Sequence, residues 1–403
     1  MSNTIRNILT VVMLLVLAAS AFAAGFMAND FLDRQQITLW GQPKALSAEE
    51  QFAVFDEAWE RISESFIGEL PSDQQKTYGA IRGSMQLLND PYTVFIEPVV
   101  RDQERDSLQG TFGGIGATLS RPEDSADIVL EPIPGNPAEA AGILSGDVLL
   151  AVDGTPITTE MTVQAVSELI RGEKGTAVTL TVRHPNQTDP VDIEITRADI
   201  LIPSVSYRLL ENNVGYIQLT RFSGESNNEI AAALEDLIAQ GAEQYVLDLR
   251  GNGGGLLDAA VEIADHFLDE MPVLYQQSKN EGERVFNTTN NTILPDAPLA
   301  ILVDGGTASA AEILAGALQD YDRAVLVGSS KTFGKGSVQL VYDLRDGSSV
   351  HVTSARWFTP NHTQIDQQGL EPDVMVTITQ EAIDAGRDEV LLQAIGYLTD
   401  GTP

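Results

Sequence analysis

The sequence predicts a multidomain α/β protein, α+β when the whole chain is considered. Its 403 residues exceed what one ordinary hydrophobic core holds and indicate two or three domains. Two segments, 245–268 and 299–320, each consist of an apolar strand, a glycine turn and a helical pattern. A third segment, from Phe112 to Ile195, consists of short alternating strands separated by glycine turns. The first pattern predicts a βα core, and the second predicts a separate antiparallel module.

The first 46 residues are predicted to lie outside the folded domains. Arg6 precedes an apolar stretch without charge from Ile8 to Ala28. Ala21-Phe22-Ala23 suits signal peptidase, and the stretch also has the roughly 20 apolar residues that span a bilayer. A cleaved signal peptide (1–28) and a retained membrane anchor therefore both stay open, and both place the following chain outside the cytoplasm. Residues 29–46 read as a linker.

The composition excludes several classes of function. The formal net charge is −34 without a long acidic run, so the negative charge is spread over folded surface. Such a surface repels nucleic acid, and no nucleic-acid binding is predicted. The chain has no cysteine, which rules out disulfides, thiolate catalysis and cysteine metal sites. Because no paired-histidine motif is present either, we predict no metal and no cofactor.

Helical patterns flank the predicted domains. Ser47-Ala48-Glu49-Glu50 is a capping-box start, and apolar residues follow at helical spacing as far as Ile62. A second helix is predicted from about Asp73 to Leu88, which gives a small N-terminal helical region, 47–107. At the other end of the chain, Ile383 to Leu398 predicts one C-terminal helix.

Ser309 follows a predicted buried strand and a glycine pair. Leu299 to Val303 is the strand, Gly305-Gly306 ends it, and a helical pattern begins after Ser309. A serine at such a place commonly only caps the helix, and Ser309-Ala310-Ala311-Glu312 fits the capping-box pattern. The alternative is a nucleophile exposed on a tight turn, with the unpartnered first amides of the helix available to an oxyanion. The serine alone favours the cap.

The presence of a lysine favours the nucleophile over the helix cap as the role of Ser309. Lys335 lies between two glycines after an apolar strand, and Gln339 follows four positions later, on the same face if this segment is a strand. A lysine that acts as general base at pH 7 must bring its pKa from about 10.4 to near 7. Burial among apolar groups lowers a lysine pKa, and the valines and Phe333 near Lys335 suit such a site. Gln339 is then placed to orient the neutral amine.

A second glycine loop follows the strand from Tyr245 to Leu249. It reads Arg250-Gly251-Asn252-Gly253-Gly254-Gly255 and leads into a helix. Such a loop can cradle a phosphate. The lysine–serine/threonine ending of a P-loop is absent, however, and Leu256 occupies the place of the third Rossmann glycine. Nucleotide binding is therefore disfavoured.

These motifs resemble those of the C-terminal processing peptidases, the tail-specific serine proteases of family S41. The similarity lies in the segments 248–255, 306–313 and 332–339. By position in these motifs, the resemblance makes Ser309 the nucleophile, Lys335 the general base and Gln339 the residue that positions the lysine.

One departure from the family pattern lies between the nucleophile and the base. The link from Gly328 to Thr332 is one residue longer than is usual. It lies in a turn, where an insertion is tolerated. Lys331, within this link, is expected to be solvated.

The resemblance also implies an oxyanion hole and a peptide-binding module. The amide of Gly255, or else that of Gly254, would pair with the amide of Ala310. Residues 108–199 look like a PDZ domain, whose loop Gly114-Ile115-Gly116-Ala117 would hold a peptide C-terminus through backbone amides. The Ile115 side chain of this loop and Leu119 would line an apolar side-chain pocket. The alternative is that the loop is an ordinary turn.

The implied fold is a crotonase/ClpP-like βα protease core at 200–378, with an inserted PDZ domain, a small N-terminal helical region, and a C-terminal helix and tail at 379–403. The segment from Asp90 to Ile96 is similar to one that precedes the PDZ domain in this family. Its aromatic residues are expected in the core or in a dimer contact, which leaves a homodimer open.

The main functional hypothesis is a serine endopeptidase that cleaves extracytoplasmic proteins near their C-termini. Its substrates would be unfolded or tail-exposed proteins, with the PDZ domain binding the tail. A catalytically silent peptide-binding scaffold is the first rival, but the serine, the lysine and the glutamine are all present. A Ser–His–Asp hydrolase is the second; no histidine lies in a nucleophile-type motif, and each is expected at the surface or in packing: His184, His266, His351 and His362. A metallohydrolase is the weakest rival.

Overall fold

The computed structural model describes residues 47–122, 125–279 and 281–400. The predicted signal peptide or anchor and the linker lie outside these ranges. Within them, no helix has both the length and the apolarity needed to cross a bilayer. The chain divides into two compact units, one ending at Lys76 and one beginning at Thr77.

The helices are α1 (Ala48–Ser65), α2 (Asp73–Gln86), α3 (Pro98–Gln109), α4 (Pro137–Ala141), α5 (Val163–Ile170), α6 (Ser226–Ala239), α7 (Leu257–Ala264), α8 (Ala310–Asp320), α9 (Gln380–Asp384) and α10 (Glu389–Asp400). The strands are β1 (Val94–Ile96), β2 (Thr111–Gly114), β3 (Ala117–Ser120), β4 (Ile128–Pro132), β5 (Asp147–Val152), β6 (Thr155–Pro156), β7 (Ala177–Arg183), β8 (Val191–Thr196), β9 (Ala198–Leu201), β10 (Val205–Leu209), β11 (Val214–Leu219), β12 (Gln244–Asp248), β13 (Pro272–Ser278), β14 (Gly282–Asn287), β15 (Leu299–Val303), β16 (Val325–Gly328), β17 (Ser337–Asp343), β18 (Ser349–Phe358) and β19 (Val374–Met375).

The first unit contains α1, which begins at the predicted capping box. The Ser47 hydroxyl accepts a hydrogen bond from the Glu50 N–H at 3.2 Å, and the Glu50 carboxylate accepts one from the Ser47 N–H at 2.7 Å. Two otherwise unpaired amides at the start of the helix are thereby satisfied. The second predicted helix, α2, ends at Gln86, slightly before the predicted Leu88.

The antiparallel module in the second unit is a sheet in the order β3-β4-β5-β7-β8, with β6 paired to β5. Leu130, Val166 and Leu180 are among the buried residues of its core, which the helix α5 covers. This helix spans Val163–Ile170. The strands β2 and β9 pair with each other where the chain enters and leaves the module.

The βα core is a six-stranded sheet in the order β10-β11-β12-β15-β16-β19. All pairs from β11 to β19 are parallel, and only β10 is antiparallel. Apolar residues of α6, α7 and α8 pack on one face of this sheet. Residues of α10, such as Val390 and Ala394, pack on the other face. A mixed multidomain α/β fold is therefore confirmed.

The parallel order decides where the functional loops lie. Because β12, β15 and β16 are neighbours and run in the same direction, their carboxyl ends lie at one edge of the sheet. The glycine loop at 250–255 follows β12, the Ser309 turn follows β15, and the loop that carries Lys335 follows β16. The fold thus brings three distant sequence motifs to one edge.

The prediction of one C-terminal helix from Ile383 to Leu398 is wrong. The structure has α9 and α10 with a break at Gly386, whose φ of 64° lies in the left-handed region. Glycine adopts this conformation without the cost that a side chain imposes, and it commonly ends helices. After the break, the carboxylate of Asp388 accepts a hydrogen bond from the Leu391 N–H at 3.0 Å and starts α10.

Candidate active site

The Ser309 turn has an unusual backbone. Ser309 has φ 57° and ψ −119°, and α8 begins with the next residue. An ordinary N-cap residue is extended, whereas a non-glycine residue in this region costs of order 1–3 kcal/mol and persists only where its surroundings enforce it. The capping function alone does not require this conformation. It is the conformation of a side chain held up on a sharp strand-to-helix turn.

Hydrogen bonds fix this turn to the glycine loop of the neighbouring strand. The carboxylate of Asp304 accepts a hydrogen bond from the Gly251 N–H at 2.9 Å. The hydroxyl of Thr307 donates to the carbonyl oxygen of Leu249 at 2.9 Å and is fully buried. These contacts connect the loops that follow β12 and β15, so the two loops are expected to move together.

The glycine loop presents one amide that is used and one that is not. The Gly254 N–H donates to the Asn252 side-chain oxygen at 2.9 Å. The N–H groups of Gly255 and Ala310, in contrast, donate to no group in the part of the chain that the structure describes. A Cβ added at Gly254 would lie 2.9 Å from the Ala310 nitrogen, so the two loops can approach this closely only with glycine. Of the two predicted alternatives, Gly255 has the available donor.

The side chains of Lys335 and Gln339 are in contact, although Lys335 lies outside the strand β17 that carries Gln339. The Lys335 Nζ donates to the Gln339 Oε1 at 3.0 Å, and the Tyr92 ring centroid lies 5.6 Å from the same Nζ. Burial lowers the pKa of Lys335 from its usual 10.5, while the charges of Glu104 and Glu312 act in the opposite direction. The amine is therefore held in an environment that favours its neutral form more than water does.

In the sequence, Glu312 is visible only as part of a capping-box pattern, but in the structure it has a wider role. Its carboxylate is fully buried and accepts a hydrogen bond from the Ser309 N–H at 2.9 Å and another from the Lys335 N–H at 2.9 Å. It also accepts bonds from the Gly334 N–H at 2.7 Å and from the Thr332 hydroxyl at 2.5 Å. One carboxylate therefore joins the turn of the serine to the loop of the lysine.

A single cavity of about 390 Å³ contains all the predicted catalytic and oxyanion-hole residues. Its lining includes Ser309, Ala310, Lys335, Gln339, Gly254 and Gly255. The cavity also takes in Glu104 and Leu108 of α3, which lie far from these motifs in the sequence. Its volume is of the size that binding pockets for extended side chains and small ligands have.

The predictions for two residues near Lys335 in the sequence, Phe333 and Lys331, have different outcomes. Phe333 was expected to help bury the amine, but its side chain is 55% exposed, so this expectation is wrong. The surroundings of Lys335 include Tyr92 and the cavity-lining Trp357 from segments distant in sequence, together with the nearby Val338. Lys331, with a side chain that is 55% exposed and paired with Glu371, is solvated as predicted.

His351 is a further residue that the sequence did not single out for the site. It lines the cavity, is 7% exposed, and places its Nε2 3.1 Å from a carboxylate oxygen of Glu104. Among the residues that the structure describes, it has no hydrogen bond to Ser309. His184, His266 and His362 do not line this cavity.

The predicted carboxylate-binding loop lies between β2 and β3 of the antiparallel module. The N–H groups of Ile115 and Gly116 donate to no acceptor within the described ranges. Ile115 as a whole is 2% exposed, and its side chain belongs to the core of the module. A Cβ at Gly116 would lie 2.3 Å from that of Asn136, and the φ of 71° also favours glycine. The loop thus holds two amides, both in buried residues, that have no acceptor in the described part of the chain.

Comparison with known proteins identifies the family. The model of peptidase family S41 matches residues 213–376, and a PDZ domain model matches residues 128–184. A carboxyl-terminal-processing protease of Picosynechococcus sp. is 38% identical over 369 residues, which cover 90% of this chain and 88% of that protein. The chain belongs to peptidase family S41. It is a carboxyl-terminal processing protease, hence a serine peptidase that acts on protein substrates, and it has a PDZ domain.

Two further relatives have similar extents. A carboxyl-terminal-processing protease of Synechocystis sp. is 34% identical over 390 residues and covers 91% of each chain. Among solved structures, a photosystem II D1 C-terminal processing protease is 33% identical, with a TM-score of 0.45, and covers 82% of this protease and 94% of that chain.

Proposed function

We propose that this protease cleaves extracytoplasmic proteins near their C-termini with Ser309 as nucleophile and Lys335 as general base. The observation that carries the proposal is the partly buried amine of Lys335, hydrogen-bonded to Gln339, in the cavity that the strained Ser309 turn lines. A neutral lysine is required, and the lowered pKa of Lys335 increases the neutral fraction at a given pH.

The proposed reaction proceeds through an acyl-enzyme. The Ser309 Oγ attacks the carbonyl carbon of the scissile bond while its proton passes to the Lys335 Nζ. The negative charge that develops on the carbonyl oxygen is stabilised by the free amides of Gly255 and Ala310. The Lys335 ammonium then gives its proton to the leaving amine, the C–N bond breaks, and water hydrolyses the ester by the same sequence.

The PDZ domain is proposed to bind the C-terminal tail of the substrate. Its free amides at Ile115 and Gly116 suit a carboxylate, since N–H donors bind an ionised acceptor more strongly than a neutral one. The Ile115 side chain lies in the core, so this residue contributes its amide to the binding site. The location outside the cytoplasm, the membrane anchor and the homodimer stay predictions from the sequence.

Amidation of a substrate tail is expected to reduce cleavage. An unfolded protein with an apolar C-terminus would be compared with the same protein carrying a C-terminal amide, which removes the charge that the loop amides meet. We expect kcat/KM to fall by about 10-fold, since a hydrogen bond to a charged group contributes about 1.5 kcal/mol or more. The Ser309→Ala variant, which lacks the proposed nucleophile, gives the background rate of the assay. Equal rates for the two tails would contradict tail recognition by the PDZ domain.

A further inference from the structure

The helix α3 brings a carboxylate into the catalytic cavity from outside the motifs of the serine and the lysine. Glu104 lines the cavity together with Ser309 and Lys335. Its carboxylate accepts a hydrogen bond from the Arg101 Nη1 at 3.2 Å and lies 3.1 Å from the His351 Nε2. These partners hold Glu104 in its ionised form, because they lower its pKa against the effect of burial, which raises it.

We propose that Glu104 is a positioning residue that acts on the base through its charge: its carboxylate stabilises the ammonium form of Lys335, and Arg101 weakens this effect by pairing with the carboxylate. Glu104 would therefore lower the acylation rate at pH values below the Lys335 pKa. The size of this effect would depend on how completely Arg101 neutralises the charge of Glu104. The proposal rests on the function of Lys335 as base proposed above.

The other groups around Lys335 either have fixed hydrogen-bond partners or carry no charge at neutral pH. Glu312 is the second carboxylate that raises the pKa of Lys335, but it is fully buried and accepts four hydrogen bonds that fix its position. Gln339 and the ring of Tyr92 carry no charge at neutral pH. Asp366 accepts a hydrogen bond from the backbone of the neighbouring Gly336 at 3.3 Å.

The more distant charges belong to the surroundings of Glu104. Asp343 pairs with Arg101 at 2.8 Å, and the imidazole of His351 faces the same carboxylate of Glu104. Arg101 therefore pairs with both Glu104 and Asp343, and it neutralises the negative charge of each only in part. Glu104 is thus the acid of the cavity whose effect on the lysine can be changed without breaking the connection between the serine turn and the lysine loop.

The sign of the effect follows from the charge state that catalysis needs. Replacing Glu104 by glutamine keeps the shape of the side chain and removes its negative charge, so the ammonium form of Lys335 loses stabilisation and the neutral fraction rises. Below the pKa of the lysine, the acylation rate is expected to increase about 3- to 10-fold, as for two charges that line the same partly solvated cavity. Above that pKa the rate is expected to be unchanged, since the lysine is neutral in both enzymes.

Removing the partner of Glu104 should have the opposite effect. Arg101→Gln takes away a positive charge that is permanent at any accessible pH, so Glu104 acts on Lys335 more strongly and the rate below the lysine pKa falls. Structural damage would lower the rate in both variants, whereas the proposal requires opposite directions. Asp102→Asn is the matched control, because Asp102 lies on the exposed face of the same helix and pairs with Arg105. It is expected to leave the pH profile unchanged.

A direct titration separates this proposal from the proposed function. The chain has six lysines, so lysine labelled with ¹³C at Cε gives few resonances in the folded Ser309→Ala protein, and Lys335→Arg identifies the one of interest. We expect Glu104→Gln to lower the titration midpoint of Lys335 and Arg101→Gln to raise it. Unchanged midpoints in both variants would overturn the proposal whatever the kinetics show. Shifted midpoints without a shift in the acylation profile would support the action of Glu104 on Lys335 and overturn Lys335 as the base.

Discussion

Lys335→Ala is expected to abolish peptide-bond cleavage, with a loss of about 10⁴-fold or more in kcat. The reason is that the Ser309 hydroxyl is a weak nucleophile until a base removes its proton, and the nucleophile and its base act as one unit. Ser309→Ala is expected to be inactive to a similar extent, and the double variant no worse than either single one. The measurement is steady-state cleavage of an unfolded protein substrate, with folding checked by thermal denaturation.

Two other lysine variants sharpen this test. Lys331→Ala should retain normal turnover, because Lys331 is exposed and pairs with Glu371 on the surface. Lys335→Arg should be inactive although it keeps the positive charge, since a guanidinium stays protonated and cannot accept a proton. A Lys335→Ala enzyme that turns over at a near-normal rate would rule out the serine–lysine pair.

Glu312→Gln is expected to cost about 10²-fold in kcat, because a displacement of about 1 Å between reacting groups has that effect. The glutamine side chain has one acceptor oxygen, whereas the carboxylate of Glu312 uses both of its oxygens to bind amides of the serine turn and the lysine loop. At least one N–H would lose its buried acceptor, and the loop of Lys335 would move relative to Ser309. KM is expected to change little.

The control for this prediction is Glu371→Gln, which removes the same charge at an exposed position outside the cavity. It should leave kcat unchanged. Because Glu312 is buried, thermal denaturation must first show that the Glu312→Gln protein is folded at the assay temperature. A folded Glu312→Gln enzyme with normal kcat would show that the carboxylate does not hold the base in place.

The parts of the site that sequence predicted are those encoded by local pattern. Ser309, Lys335 and Gln339 each lie in a glycine-rich motif, and all line one cavity in the structure. The presence of the βα core followed equally from periodicity and turn residues. Local spacing carries this information because a strand, a turn and a helix are each decided over a few residues.

The parts that sequence did not predict depend on contacts between distant segments. Glu104 and His351 reach the cavity from α3 and β18, and Tyr92 reaches the Lys335 amine from the segment before β1. No local pattern joins these residues to Lys335. Glu312 was visible only as part of a capping-box pattern, since its burial depends on the loop that follows β16. Phe333 is the converse case, because it is close to Lys335 in the sequence but its side chain is exposed. Apolar character alone does not say which side chain packs against the lysine.

The alternative base is His351, which lies in the cavity with Glu104 as a carboxylate partner. A histidine–carboxylate pair is the usual activator of a serine nucleophile. Lys335 is the better candidate, because its amine is oriented by Gln339 and its backbone is fixed to the Ser309 turn through Glu312. Histidine and lysine side chains have different reference pKa values, about 6.5 and about 10.4, so a pH profile distinguishes a histidine base from a lysine base.

The pH dependence of Ser309 acylation is therefore the most direct test of Lys335 as general base and Ser309 as nucleophile. Excess enzyme would react in a single turnover with a short apolar peptide ester, and mass spectrometry would locate the acyl group. Because Lys335 must be neutral, the rate should rise with pH through a pKa that lies below the usual 10.5 of a lysine, with the acyl group on Ser309 and with the same limb in a His351→Gln variant. An acyl group on another residue, or a limb near the histidine value of about 6.5 that disappears in His351→Gln, would contradict the account.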